Sequence, residues 1–333
     1  MTGLDYITIE GFKSIASIEQ LALRPINILI GANGSGKSNF LEAFSLLKSV
    51  REGKLEDYVI GANGAREILH FGPRTTPQIR FEIGFGGDQF AFTLKPGPDD
   101  KLLYDSKYFN FGKYVGLGKW EVFHLNDTSQ NSPLRSTAKV HDNRFLRPDG
   151  SNLSAFLYSL REKEVESYQL IQSTVRRVAP FLEDFNLEPL RLNKETIKLE
   201  WRHKRSDHYF GASALSDGTL CFIFLATLFL QPKELRPSII LVDEPELGLH
   251  PAAITMLASL IKLAAMETQV IVSTQSSLLL DHFSPEDVLV ADSVNGGTQL
   301  NRLDTPSLSA WLEDYSLGQL WEKNEFGGRP RPD

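Results

Sequence analysis

The residues Gly31-Ala32-Asn33-Gly34-Ser35-Gly36-Lys37-Ser38 carry the most specific chemistry in the chain. Gly31 and Gly36 flank a loop, with Asn33, Gly34 and Ser35 inside it, whose backbone N–H groups can converge on phosphate oxygens. Lys37 can neutralise the outer phosphates, and the Ser38 hydroxyl can ligate Mg²⁺. A second pair of groups, Asp243-Glu244, directly follows the apolar run Ile239-Ile240-Leu241-Val242. Carboxylates at the C-terminal end of a buried strand stand where ligands bind in open α/β sheets. There Asp243 would hold Mg²⁺, and Glu244 would orient or deprotonate an attacking water. The competing reading is an exposed acidic turn, since Glu246 makes the loop acidic in any case. The phosphate loop elsewhere in the chain outweighs it.

Positioning these groups requires a strand, a loop and a helix in that order, and the flanking pattern supplies them. Ile26 to Ile30 reads as a strand running into the loop, with strands at Tyr6 to Glu10 and Leu21 to Leu23 before it. Phe40, Leu41, Phe44, Leu47 and Val50 fall at helical spacing after it. Gln78 to Leu94 alternates around Gly86-Gly87 as a β-hairpin. Lys95 to Gly150 is rich in turn residues, with short strands such as Lys119 to Leu125. Two helices follow, the first capped by Ser151 or Asn152 and the second ending before Pro180. Leu190 to Tyr209 reads as a polar-faced strand pair. Beyond it come an apolar helix from Thr219, the strand Ile239 to Val242, a helix from Ala252 to Met266 and the strand Gln269 to Ser273. This alternation predicts an α/β fold with a mostly parallel core sheet, a β-rich lobe and a small helical insertion. The expected division is 1–84 and 201–333 for the two parts of the head and 85–200 for the insertion. Phe326 to Asp333 reads as a loose tail.

With 41% hydrophobic and 23% charged residues over 333 positions, the composition is that of a globular protein and excludes a disordered one. The longest apolar run, Leu220 to Leu230, is too short to span a bilayer and reads as a buried helix. The acidic, alternating N-terminus does not read as a secretory signal, so the expected location is the cytoplasm. Cys221 is the single cysteine, which excludes an internal disulfide and a zinc-ligand cluster. A net charge of −7 offers no global attraction to nucleic acid. The cluster Arg202-His203-Lys204-Arg205 reads as a solvated hairpin turn in preference to a phosphate contact.

The motifs, in their order, resemble the ABC-type ATPases of the SMC and RecF group, and most closely its stand-alone bacterial members without a nuclease domain. The residues that carry this are Gly11-Phe12-Lys13-Ser14, the Walker A loop Gly31 to Ser38, Leu215-Ser216-Asp217-Gly218-Thr219, Asp243 to Pro251 and Ser273-Thr274-Gln275-Ser276. Trp311 to Tyr315 and Phe326-Gly327-Gly328-Arg329 extend the likeness to the end of the chain. The resemblance implies binding and hydrolysis of ATP with Mg²⁺ and a homodimer that sandwiches the nucleotide. It also implies DNA repair as the setting, with DNA or a separate effector protein as partner and no membrane. In that dimer Ser216 and Gly218 would reach the nucleotide of the partner, Lys13 would lie near the nucleotide, and Gln275 would occupy the switch position. From the residues alone, Ser216 or Asp217 reads in preference as a helix cap ahead of Leu220, and His250 at least as well as a helix-start residue before Pro251. Gln275 departs from the histidine common at the switch position, so slow hydrolysis is expected, and His250 departs from the aspartate that in many relatives communicates across the dimer, which leaves communication between the two sites open. Gln78 and Gln89 are both candidates for a glutamine that senses Mg²⁺.

Overall fold

The computed structural model describes residues 3–105, 119–124, 129 and 131–328. Chain contacts divide it into two units: Met1–Val122 with Ser238–Asp243 and Thr268–Asp333, and Phe123–Pro237 with Glu244–Glu267.

In the first unit, the uninterrupted apolar runs become central strands because strands covered on both faces need apolar residues at every position. The strands β3 (Ile26–Ile30), β14 (Ile239–Asp243) and β15 (Gln269–Thr274) are almost entirely buried. With β7 (Trp120–His124), β16 (Val288–Val294) and β17 (Gly297–Arg302) they form a sheet in the order β17-β16-β3-β15-β14-β7. The pairs β16–β3, β3–β15 and β15–β14 are parallel, and β16–β17 is antiparallel. An antiparallel sheet, β2-β1-β4-β5-β6, joins β1 (Tyr6–Phe12), β2 (Ile15–Ala22), β4 (Ile79–Phe85), β5 (Asp88–Pro96) and β6 (Leu102–Tyr104). The helix after the phosphate loop, α1 (Lys37–Arg51), packs on β14 and β15. Its Phe40 and Phe44 share one core with Ile7, Ile9 and Phe12 of β1, Phe81 of β4 and Phe92 of β5. Each such ring contributes about 1.5–3 kcal/mol by leaving water. Short helices α2 (Leu55–Gly61) and α3 (Ala65–Ile68) follow, and α8 (Ser277–Leu280), α9 (Thr305–Leu312) and α10 (Leu317–Glu322) complete this unit.

The second unit is helical, with two small sheets. Helix α6 (Asp217–Leu230) buries every residue from Leu220 to Leu230, as an all-apolar helix must. It packs against α5 (Val165–Val178) and α7 (Pro251–Ala265), and α4 (Leu153–Lys163) packs on α5. Cys221 is buried in α6, where burial pushes its thiol up to about 11, so it is an inert core residue. Among the described residues no helix is long and apolar enough to cross a membrane.

Four local expectations are corrected. The region 190–209 is not one strand pair. Its strand β11 (Asn193–Ile197) pairs with β8 (Ala138–Lys139) and β10 (Pro189–Leu190), whereas β12 (Glu200–His203) pairs with β9 (Leu182–Asn186) and β13 (Tyr209–Gly211). Local alternation cannot reveal which distant strand a segment chooses. Leu21 to Leu23 is not a strand of its own, because β2 already begins at Ile15 and hairpins back on β1. Asn152 occupies the cap position of α4 without capping it. Its fully buried side chain instead accepts from Arg147 N and donates to the carbonyls of Asp142 and Phe145. The tail is anchored at its start, where Gly328 N donates to Asp292 Oδ1 at 2.8 Å. Residues 329–333 of that tail lie outside the described residues.

Candidate active site

Buried β3 ends at Ile30, the chain turns through Gly31 to Gly36, and α1 begins at Lys37. Gly36 is left-handed (φ +96°), and a Cβ there would lie 1.9 Å from Thr298 Oγ1 and 2.7 Å from Ser14 Oγ, so only glycine fits. Those two hydroxyls are themselves 2.7 Å apart, and Asn39 Nδ2 donates to Ser14 Oγ. The turn after β1 and strand β17 therefore brace the loop. Lys37 is 5% exposed, and its Nζ donates to the carbonyls of Gly31 (2.8 Å) and Ala32 (3.0 Å), which holds the ammonium inside the loop. Asn33 and Gly34 stand exposed at the loop's tip.

Parallel register fixes the other groups. Ser273 of β15 pairs with Asp243 of β14, and Thr274 pairs with Ile30 of β3, so the three strands end side by side. Asp243 is 5% exposed and accepts from two hydroxyls, Ser38 Oγ at 3.1 Å on Oδ2 and Ser273 Oγ on Oδ1. The structure thus brings together Ser38 and Asp243, which lie 205 positions apart in sequence. Glu244 follows with φ +46°, a left-handed backbone that costs a non-glycine residue about 1–3 kcal/mol and is typical of sites where strain serves function. Gln275 lies exposed one residue beyond β15.

Both ATP and Mg²⁺ fit this arrangement. Ser35 Oγ is buried inside the loop with no hydrogen-bond partner among the described residues, a polar atom that an anion in the loop can satisfy. No cluster of three or more His, Cys, Asp or Glu side chains suited to a metal occurs among the described residues. One hydroxyl and one carboxylate beside a phosphate loop are the donor set Mg²⁺ uses when phosphates and water complete its shell.

Lys13 sits in the β1–β2 turn at φ +47° and ion-pairs with Glu42 of α1. Tyr58 OH donates to the same carboxylate at 3.0 Å, and burial together with Glu42 pushes the phenol well above its ordinary pKa. The hairpin separates the two glutamines. Gln78 precedes β4, with its carbonyl against Gly11 at the Lys13 end, whereas Gln89 pairs with Gly84 at the opposite end.

In the second unit, Ser216 caps α6: its Oγ accepts from Thr219 N at 3.2 Å and bonds Thr219 Oγ1 at 2.8 Å. His250 likewise caps α7 by accepting from Ala252 N. A Cβ on Gly218 would come within 2.1 Å of the Gly248 carbonyl oxygen, so these two turns require glycine to lie together. Gly218→Ala is therefore expected to cost about 1–3 kcal/mol through overpacking against backbone. A thermal melt checks this, and an unchanged Tm would mean that the turns separate freely.

Sequence reasoning missed Arg135, whose nearly buried guanidinium pairs with Asp217 and donates to the carbonyls of Ala212 and Leu215. It holds the segment leading into Ser216 from a turn-rich region with no motif. The basic cluster is a hairpin turn: His203 Nδ1 accepts from Arg205 N, and the His203 ring stacks on Phe181.

A loop of this geometry at the end of a parallel sheet, with a buried aspartate hydrogen-bonded to its serine, defines a phosphate-loop ATPase head of the ABC type, similar to SMC and RecF proteins. The family profile described as "AAA domain, putative AbiEii toxin, Type IV TA system" matches residues 26–109 and 105–281, and the chain belongs to that family. The DNA replication and repair protein RecF of Lacticaseibacillus casei (strain BL23) is 29% identical over 84 residues, 24% of this chain and 21% of that protein. Urease accessory protein 2 of Cryptococcus neoformans var. grubii is 24% identical over 206 residues, 52% of this chain and 16% of that protein. The chain thus spans about a fifth or less of the length of these curated relatives. Among solved structures, the Smc head bound to the C-terminal winged-helix domain of ScpA matches with a TM-score of 0.67 at 16% identity, over 92% of this chain and 99% of that one. An Smc head with an extended coiled coil, bound to the C-terminal domain of ScpA from Pyrococcus furiosus, matches with a TM-score of 0.64 at 15% identity, over 94% and 99%. At these identities the likeness is one of fold.

Proposed function

We propose that the protein is a Mg²⁺-dependent ATPase whose ATP-driven homodimerisation is coupled to DNA transactions such as repair, in the cytoplasm. The observation that carries the catalytic half is the hydrogen bond from Ser38 of the phosphate loop to the buried Asp243. ATP with Mg²⁺ supplies a phosphoanhydride that water can cleave. In this reading the N–H groups from Asn33 to Ser38 hold the phosphates and Lys37 neutralises them. Ser38 and Asp243 hold the metal, and Glu244 accepts the proton of the attacking water. Gln275 donates a hydrogen bond to water or phosphate but takes no proton. Ser216 and Gly218, at the N-terminus of α6, present hydroxyl, backbone N–H and helix dipole to the nucleotide of a second copy. Lys13 lies beside the nucleotide, and Gln78 is the favoured Mg²⁺-sensing glutamine. The DNA half is supported by the RecF relative, named for DNA replication and repair.

A second reading, an ATP-bound scaffold working with a separate effector in anti-phage defence, is favoured by Gln275, whose neutral amide takes no proton, and by the toxin–antitoxin description of the family. Light-scattering mass with and without ATP and Mg²⁺, combined with phosphate release with and without DNA, separates the two. A doubled mass with DNA-stimulated turnover is expected. A stable ATP-bound dimer with negligible turnover would favour the scaffold, and an unchanged mass with no DNA response would overturn the proposed dimer motor.

A further inference from the structure

A chain end is ordinarily the loosest part of a fold, yet this one closes on the phosphate loop. Helix α10 is pinned by buried Leu317 and Leu320 and by Gly318 N, which donates to Asp281 Oδ1 at 2.6 Å. The chain then turns at Asn324 and reaches Gly327 and Gly328, both left-handed (φ +86° and +81°). L side chains avoid that conformation, and two successive glycines let the backbone bend back across the end of β16. Gly328 is buried there, with its N–H on Asp292 Oδ1 at 2.8 Å. A Cβ on it would lie 3.1 Å from both Val290 Cγ1 and Trp321 Nε1, and 3.4 Å from Gly31 Cα. The tail backbone therefore lies directly on the first residue of the phosphate loop. This approach has a cost, since the buried Trp321 Nε1 finds no hydrogen-bond partner among the described residues.

Gly31 has little else to hold it. The parallel ladders of β3 end at Ile30, which pairs with Val290 on one side and Thr274 on the other. One residue further, Gly31 is wedged: a Cβ on it would sit 2.3 Å from the Ala291 carbonyl oxygen and 2.7 Å from Ser35 Oγ. Its own carbonyl accepts from Lys37 Nζ at 2.8 Å. A shift of Gly31 thus moves an acceptor that keeps the ammonium in the loop. Asp292, Gly328, Gly31 and Lys37 form one line of contacts from the chain end to the cation of the site.

We propose that the strap 326–328, anchored through Asp292, is a positioning element that holds Gly31, and through it Lys37, in the arrangement that receives phosphate; this rests on the nucleotide reading above. Coupling of this kind is reciprocal. If the strap favours the ligand-ready loop, a ligand on the loop tightens the strap, whereas a tail that only covers the fold does not sense the nucleotide.

Two measurements test this. Hydrogen exchange at the Gly328 amide of the wild type is read with and without inorganic tripolyphosphate. Binding of tripolyphosphate and of ATP with Mg²⁺ is measured for wild type, Asp292→Ala, Asp292→Asn and Lys37→Ala. Tripolyphosphate is expected to slow exchange at Gly328 by about fivefold or more, and Asp292→Ala to weaken both ligands by a similar factor. Asp292→Asn, whose amide oxygen still accepts from Gly328 N, binds both like wild type. Exchange at Gly328 that ignores the ligand overturns the strap role, as does wild-type affinity in Asp292→Ala. In either case weaker binding by Lys37→Ala shows that the nucleotide site itself stands. Equal weakening in Asp292→Asn and Asp292→Ala also overturns the role, because the hydrogen bond is then not what matters. If Lys37→Ala keeps both ligands, the nucleotide reading fails and the strap role with it. Should Asp292→Ala not fold, which a thermal melt shows, the exchange measurement on the wild type decides alone.

Discussion

Lys37→Ala is expected to lower ATP affinity by about ten- to a hundredfold, because it deletes a buried ammonium with three N–H donors, two of them given to loop carbonyls, that can make one charge-assisted hydrogen bond to phosphate worth about 1.5–3 kcal/mol. Lys13 of the β1–β2 turn does not replace it, because its ammonium is engaged with Glu42 of α1. The substitution also removes the donor to the carbonyls of Gly31 and Ala32, so part of the loss comes through a looser loop. Isothermal titration with ATP and Mg²⁺ measures the total, and Lys37→Arg separates the parts, since it keeps the charge but not the fit. Wild-type affinity in Lys37→Ala would remove the loop from the binding site.

How much of this was legible in the sequence follows from which interactions are local. The loop, β14 and β15 could be read because glycine spacing and continuous apolar runs are consequences of a phosphate cradle and of strands buried on both faces. Helix α6 could be read for the same reason, since Leu220 to Leu230 offers no polar face to water. The pairing of β11 and β12 with different partners could not, because the partner strands β8 and β9 are short and partly polar. Arg135 was invisible because its partners, Asp217 and two backbone carbonyls, lie about 80 positions away and leave no spacing signal.

The strained positions were invisible for another reason. Lys13, Phe71 and Glu244 all adopt positive φ, against the preference of their own side chains. Tertiary constraints overdetermine the first two: the backbone of Lys13 is held by Ile68 O and His70 Nδ1, and Phe71 is held by His70 and Gly296. A sequence reading assigns such residues their commonest conformation. The proposed site therefore combines a scaffold that sequence specifies strongly with backbone conformations at Lys13 and Glu244 that only the assembled fold sets.

Glu244→Gln is expected to slow ATP turnover by about 10²–10⁴-fold while leaving ATP affinity close to wild type. The amide has the shape of the carboxylate and can hydrogen-bond a water, but it cannot accept a proton from it. The backbone is preserved as well: φ at 244 is set by the turn in which Leu247 N donates to the Glu244 carbonyl, which a side-chain exchange leaves intact. Asp243 keeps its two hydroxyl donors, so metal affinity is not the quantity being changed. If the nucleotide is held between two copies, blocking its cleavage traps the closed form, and light scattering of Glu244→Gln with ATP and Mg²⁺ reads a persistent dimer. Unchanged turnover would assign the proton transfer to another group. Slow turnover in a protein that binds ATP but stays monomeric would place the whole reaction within one copy and leave Ser216 and Gly218 as the helix cap and close-packed turn that their local geometry already describes.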